Sequence, residues 1–313
     1  MKVTALAGGI GASKLLLGLS SVVPPEDITI IANTGDDLEL FGLRICPDLD
    51  TVTYTLAGVV NEETGWGLKG DTFECLRWLE RYGHPAWFNL GDRDIATHIF
   101  RTDQLRAGRS LSEVTDSIRR AIGVSSTILP MTDSYTRTRV LTNEGEMHFQ
   151  EYFVRRKCEP RVREIRFDNI ESALPAAGLV NAIVDADAVV ICPSNPFISI
   201  GPILAVPGIR DALKRTRATV VAITPIIGGL ALKGPAADML RDLGHQVSAA
   251  GVAALYRDFA DVFLLDSEDA ALRNNIEALG LQVLTTNTLM HSLEDKQRLA
   301  RATIEAASDA NND

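Results

Sequence analysis

The first forty residues leave little freedom in the fold. Val3 to Ala7 is a short apolar run that breaks into Gly8-Gly9-Ile10-Gly11, and an amphipathic stretch follows from Ala12 to about Ser21. A second apolar run, Ile28 to Ala32, ends in Asn33-Thr34-Gly35-Asp36-Asp37. Strand, glycine loop, helix and strand in this order form a βαβ unit, whose strands lie parallel in a sheet covered on both faces. Such sheets bind ligands at the carboxyl ends of their strands, where both of these loops fall. The alternation resumes at Ala188 to Cys192, Ala218 to Ile223 and Val262 to Leu265, each followed by helical sequence, and a last helix is expected from about Leu293 to Ala307. The expected fold is α/β: a doubly wound, mostly parallel sheet with a Rossmann-like three-layer core.

Between the two βα halves the pattern changes. Asp50 to Ala121 reads mostly helical, with helices expected over Thr72–Tyr82, Ile95–Arg106 and Leu111–Ile122. Ser125 to Leu129, Arg137 to Thr142 and Met147 to Val154 read as strands, the last two joined as a hairpin across Asn143-Glu144-Gly145-Glu146. One α/β domain over residues 1–313 is therefore expected, with a helix-rich and hairpin insertion at about 60–170 forming a second lobe. Ser308 to Asp313 is a polar tail.

Charge and cysteines narrow the function. Lys and Arg total 31 against 41 Asp and Glu, a net charge of −10, which repels a phosphate backbone and argues against nucleic acid as partner. Four scattered cysteines without a C-x-x-C pair argue against disulfides and structural zinc, and suit a reducing cytoplasm. The longest apolar stretch, Val220 to Leu232, is broken by Pro225, Gly228 and Gly229 and falls short of the ~20 residues that span a bilayer. No membrane association is expected.

Four features are candidates for chemistry. Gly8, Gly9 and Gly11 open a helix, where free N–H groups stabilise an anion and a missing Cβ lets a phosphate approach; a tight turn without ligand is the alternative. Seven aspartates follow between Asp36 and Asp94. Asp71 and Asp94 precede helical sequence and read as caps, whereas Asp36 and Asp50 are expected at the carboxyl edge near the glycine loop. Carboxylates beside a phosphate cradle suit Mg²⁺, although Asp36 on ribose hydroxyls is the dinucleotide alternative. Arg93, between Asp92 and Asp94, is either a salt-bridged surface turn or a fork for an anion or planar carbonyl-rich ring. The stiff Pro193 to Pro202 loop offers Ser194, Asn195 and Ser199 to a base or phosphate, and Pro225 to Pro235 is a second glycine-rich loop. His98 reads as helix packing, and no covalent nucleophile is evident. Metal-assisted phosphoryl transfer is the most economical chemistry for this set.

With these residues assembled, the chain resembles the 2-phospho-L-lactate transferase family of deazaflavin coenzyme F-420 biosynthesis, described as phosphoenolpyruvate transferase in some bacteria. The likeness rests on Ala7 to Gly11, Asn33 to Asp37, Arg44 to Thr51, Gly65-Trp66-Gly67, Leu90 to His98, His148 to Glu151, Ser194 to Pro196 and Ser199 to Leu204. It implies a GDP-activated donor of phospholactate, phosphoenolpyruvate or phosphoglycerate, and a 7,8-didemethyl-8-hydroxy-5-deazariboflavin acceptor whose ribityl hydroxyl attacks with release of GMP. It further implies Asp36 and Asp50 on Mg²⁺, Asp50 and Arg93 on the deazaflavin with Asp50 catalytic, and Gly9, Gly11, Ser194 and Asn195 at the nucleotide. A homodimer is implied as well. The rival is a nucleotide-sugar-binding regulator of the gluconeogenesis-factor-like family, which shares the glycine and Asp-Asp loops. The Asp92-Arg93-Asp94 segment and the Cys46 to Thr51 block favour the transferase.

Overall fold

Seven parallel strands make the central sheet of the computed structural model, which describes residues 1–231 and 233–310. They are β1 (Val3–Ala7), β2 (Ile28–Ala32), β3 (Thr127–Pro130), β4 (Ala188–Ile191), β5 (Thr219–Ile223), β6 (Val262–Asp266) and β7 (Gln282–Thr286). Their spatial order is β7-β6-β5-β4-β1-β2-β3, so the chain winds outward in both directions from the β1–β4 pair. This is the doubly wound order with its switch point between β1 and β4. The inner strands read as continuous apolar runs because both faces are covered. Leu6, Ile31, Val189 and Phe263 point into one core layer, while Ala5, Ile30, Val190 and Leu264 point into the other.

Helix α1 (Gly9–Leu19) begins at the glycine loop itself and packs Leu15, Leu16 and Leu19 against the second layer, beside Leu299 and Ala300 of the C-terminal helix Leu293–Asp309. Helices α2 (Pro47–Leu56), α3 (Glu74–Arg81), α4 (Asp92–Arg106) and α5 (Leu111–Ala121) lie between β2 and β3. An antiparallel sheet of Gly145–His148, Arg137–Thr142 and Val162–Asp168, in that order, lies between β3 and β4. Strand β3 of the central sheet thus comes from inside the stretch 60–170.

Three local expectations are corrected. Met147 to Val154 is not one strand: the strand ends at His148, and Glu151–Arg155 forms a π-helical turn. The stretch from Ala57 to Phe73 is loop rather than helix, pinned by an antiparallel bridge between Val60 and Leu68. Asp94 caps nothing; it lies inside α4. The caps of α3 and α4 are exchanged. Asp71, ahead of α3, accepts the N–H groups of Arg93 and Asp94 in the first turn of α4 at 3.0 and 3.1 Å. Asp92, the first residue of α4, accepts those of Glu74 and Cys75 in the first turn of α3 at 3.1 and 2.9 Å. Leu232 of the glycine-rich loop and the expected tail residues 311–313 lie outside the described residues, and no helix among those described is long and apolar enough to cross a membrane.

The exchanged caps fix the two helices to each other. Asp71→Ala should lower unfolding stability by about 0.5–2 kcal/mol, the ordinary cost of a lost cap, seen as an earlier urea midpoint. An unchanged midpoint would show that α4 needs no cap from this loop.

Candidate active site

At the carboxyl ends of β1 and β4 lies a cleft of about 690 Å³. The loops leaving these strands meet at van der Waals distance. A Cβ on Gly11 would stand 2.4 Å from the carbonyl oxygen of Pro193, and Gly9 takes a left-handed φ of +69°. The Ser194 hydroxyl donates to the Gly8 carbonyl at 2.8 Å and accepts its N–H at 3.4 Å, tying one loop to the other. Asn195 folds its own loop by accepting the Phe197 N–H at 2.9 Å. Gly9, Gly11, Ser194 and Asn195 all line the cleft, as do Asp36 and Asp50.

The acids divide into two groups. Asn33, at the end of β2, donates to Asp48 at 2.9 Å and to the Ile198 carbonyl at 3.1 Å. Asp48, in the first turn of α2, also accepts the Gly9 N–H. It is Asp48, rather than Asp50, that faces the glycine loop. Burial pushes the Asp48 carboxyl up to about 7. Burial, with the charge of Asp48 beside it, holds Asp36 well above the usual range. Asp36 Oδ1 is buried without a hydrogen-bond partner. Asp37 points elsewhere, onto the Arg44 guanidinium at 2.7 and 3.1 Å and the Cys46 thiol at 3.0 Å, and reads as structural.

The second group joins α2 to α4. Asp50 is forked by Arg101, with Nη1 at 3.1 Å from Oδ2 and Nη2 on Oδ1. Asp94 Oδ1 lies 2.8 Å from the Tyr54 hydroxyl and 3.4 Å from His98 Nε2. Against its burial, hydrogen bonds from His98 and Tyr54 hold the Asp94 carboxyl below the usual range. Asp50, Asp94 and His98 offer ligand atoms within 4.8 Å of one another, and the Arg101 guanidinium engages both oxygens of Asp50 there.

Arg93 stands apart from the cleft lining. Its side chain is 58% exposed, donates to the Lys69 carbonyl at 2.7 Å, and passes 3.6 Å from Asp71. The rest of the cleft mixes neutral polar side chains, among them Asn89, Gln150 and Thr288, with apolar and cationic ones. Trp66, Phe88 and Leu90 line it together with Phe149 and Phe153, whose rings stack at 5.4 Å. Lys14 lines it with Lys233 and His291; burial and the charges of Lys233 and Lys296 push the Lys14 amine down. Sequence reasoning missed Arg101, Tyr54 and the role of His98. The signal was present: Asp94, His98 and Arg101 are spaced by four and three, which places them on one helix face.

Comparison with known proteins shows the family. A family model described as 2-phospho-L-lactate transferase CofD matches residues 3–306. The chain belongs to the CofD family. Its relatives in that family include the phosphoenolpyruvate transferase of Streptomyces griseus, 43% identical over 99% of both chains. The 2-phospho-L-lactate transferase of Methanococcoides burtonii is 40% identical over 94% of this chain and 96% of its own. The crystal structure of a UPF0052-family protein from Bacillus halodurans shares the fold, with a TM-score of 0.66 at 16% identity over 97% of this chain and 98% of that one.

In this CofD-family chain the raised carboxyl of Asp48 sets a pH dependence. A group raised from 3.8 to about 7 on folding contributes stability in full below its unfolded pKa and loses it as pH rises through the folded one. Wild-type protein should therefore lose stability between pH 5.5 and 8, and Asp48→Asn should lose less. At pH 8 the variant should melt several degrees above wild type; a lower melting point at pH 8 would contradict the assignment.

Proposed function

We propose that this chain transfers a phospho-three-carbon-acid group from a GDP-linked donor to the ribityl hydroxyl of 7,8-didemethyl-8-hydroxy-5-deazariboflavin, as in coenzyme F-420 biosynthesis. The acid is phospholactate, phosphoenolpyruvate or phosphoglycerate. Full-length likeness to relatives bearing both transferase names supports the reaction class. The observation that carries the reading is that one cleft combines a glycine-loop helix start and lysines, suited to a diphosphate, with an aromatic wall suited to a flat ring.

The hydroxyl oxygen would attack the acid-bearing phosphorus while the bond to the GMP oxygen breaks, and the hydroxyl proton would pass to Asp50 or water. An alcohol attacking phosphorus needs orientation more than a strong base. Asp50, fixed by Arg101, is the group we assign to orient it. Gly9 and Gly11 offer the helix start to the donor phosphates, with Ser194 and Asn195 holding the adjoining loop against the nucleotide. Arg93, tethered to Lys69 and Asp71 outside the cleft lining, is assigned to the deazaflavin.

The residues present fit a magnesium ion, a hard cation that takes oxygen ligands. Asp36 keeps a buried carboxylate oxygen without a partner, and Asp48 adds like charge beside it. Asp36 would hold the ion, with Asp50 contributing lone pairs that Arg101 leaves free. Bound there, Mg²⁺ would neutralise charge on the phosphates. The same reading carries a cytoplasmic homodimer.

Two measurements test it. GDP at a hundredfold excess over its dissociation constant should stabilise the protein by about 2.7 kcal/mol, while a UDP-sugar should leave the melting point unchanged; the reverse would favour the nucleotide-sugar regulator. Arg93→Ala should weaken deazaflavin binding roughly ten- to a hundredfold, the loss of one charged hydrogen bond, with GDP affinity held within about twofold. Unchanged deazaflavin fluorescence titration would return Arg93 to a surface tether.

A further inference from the structure

Behind Asp50 stands a side chain that the sequence motifs did not single out. Arg101 is 2% exposed and does not line the cleft, yet every hydrogen bond it makes runs toward residues that do or toward the strand leading to them. Its guanidinium forks both oxygens of Asp50, and Nη1 also reaches His98 Nδ1 at 3.1 Å and the Arg44 carbonyl at 3.4 Å. A guanidinium has donors only, so His98 Nδ1 is an acceptor and the ring proton resides on Nε2. His98 Nε2 itself lies 3.4 Å from Asp94 Oδ1. The Tyr54 hydroxyl stands 2.8 Å from both Asp94 Oδ1 and Thr97 Oγ1. The carboxylate only accepts, so Tyr54 donates to Asp94 and accepts from Thr97.

Donation in this network runs one way: Thr97 to Tyr54 to Asp94, and Arg101 to His98 and Asp50. Asp50 and Tyr54 lie four residues apart on α2, and Asp94, His98 and Arg101 share one face of α4. The network locks two helices whose relative position is also set by the exchanged caps. A lone carboxylate rotates freely about its terminal torsion, but one held on both oxygens by a planar fork does not. Because Nδ1 faces the guanidinium, which only donates, the geometry favours the tautomer with the ring proton on Nε2.

We propose that Arg101 and His98 are positioning residues for the transfer, fixing the orientation of Asp50 so that its remaining lone pairs meet the acceptor hydroxyl. This rests on the transfer reading above. A misplacement of about 1 Å costs on the order of a hundredfold in rate, which sets the size of the expected effects. Arg101→Lys keeps the charge and loses the fork; kcat should fall roughly ten- to a hundredfold, with KM for the GDP-linked donor within about threefold. His98→Leu should lower kcat about tenfold, and His98→Asn, whose side-chain oxygen stands near the lost Nδ1, should restore most of it.

Because Arg101→Lys stands in the core, a second readout is needed that does not depend on turnover. Nitrogen-15 NMR of the imidazoles at pH 8, assigned by the signal lost in His98→Asn, should show the neutral His98 ring as the Nε2–H tautomer. A proton on Nδ1, a mixture of tautomers, or wild-type kcat in both Arg101→Lys and His98→Leu would overturn the proposal. Absence of wild-type turnover with every GDP-linked donor would instead overturn the transfer reading, and the catalytic purpose of the pair with it, whatever the tautomer.

Discussion

The contact between the loops that leave β1 and β4 is the constraint on which the site depends. Gly11 has no room for a side chain against the Pro193 carbonyl, and the Ser194 hydroxyl both donates to and accepts from the backbone of Gly8. Because the chain winds away from this pair in both directions, adjacent loops diverge above the sheet and leave a crevice there. The contact holds the crevice's floor in one geometry. The apparent phosphate loop is thus also a packing element: Gly11 is required by the neighbouring strand's loop before any ligand arrives.

Around that floor, buried carboxylates are treated in two opposite ways. Asp37 has Arg44 and Asp50 has Arg101, so their charges are compensated inside the protein. Asp36 and Asp48 press on each other without a cation, helped only by Asn33 and neighbouring dipoles, and their carboxyl groups are driven upward. Burying uncompensated charge destabilises a fold, and sites of function are where proteins retain such costs. The uncompensated pair lies against the glycine loop, where a cation and a phosphate would relieve it together. The compensated Asp50 is left with a fixed orientation instead. Removing its charge alone, as in Asp50→Asn, also strands the Arg101 cation in the core, so stability falls along with any activity.

The fold was legible wherever burial on both faces wrote a continuous apolar run. Val3–Ala7, Ile28–Ala32, Ala188–Ile191 and Val262–Asp266 all appear as strands within a residue or two of their sequence limits. The edge strand Gln282–Thr286 and the half-exposed Val162–Asp168 carry no such run and were missed. Trp66 and Phe88 reach the cleft from loops whose course no periodicity records. The glycines, Asp36, Ser194 and Asn195 share one cleft because loops after parallel strands converge, and Asp50 reaches it from the first turn of α2. Asp48 was not singled out, since sequence does not say which of two acids in one turn faces inward. Arg101 was hidden for a different reason: an arginine on a helix reads as solvated until a second helix is known to bury it.

The proposed reaction joins a GDP-linked phospho-acid to a deazaflavin in one cleft. Mass spectrometry of the products formed from each donor with the deazaflavin and Mg²⁺ tests this most directly. The expected product is a deazaflavin phosphodiester that carries the intact three-carbon acid, with one GMP released for each molecule formed. Recovery of unaltered deazaflavin with all donors, or release of GDP in place of GMP, would contradict it.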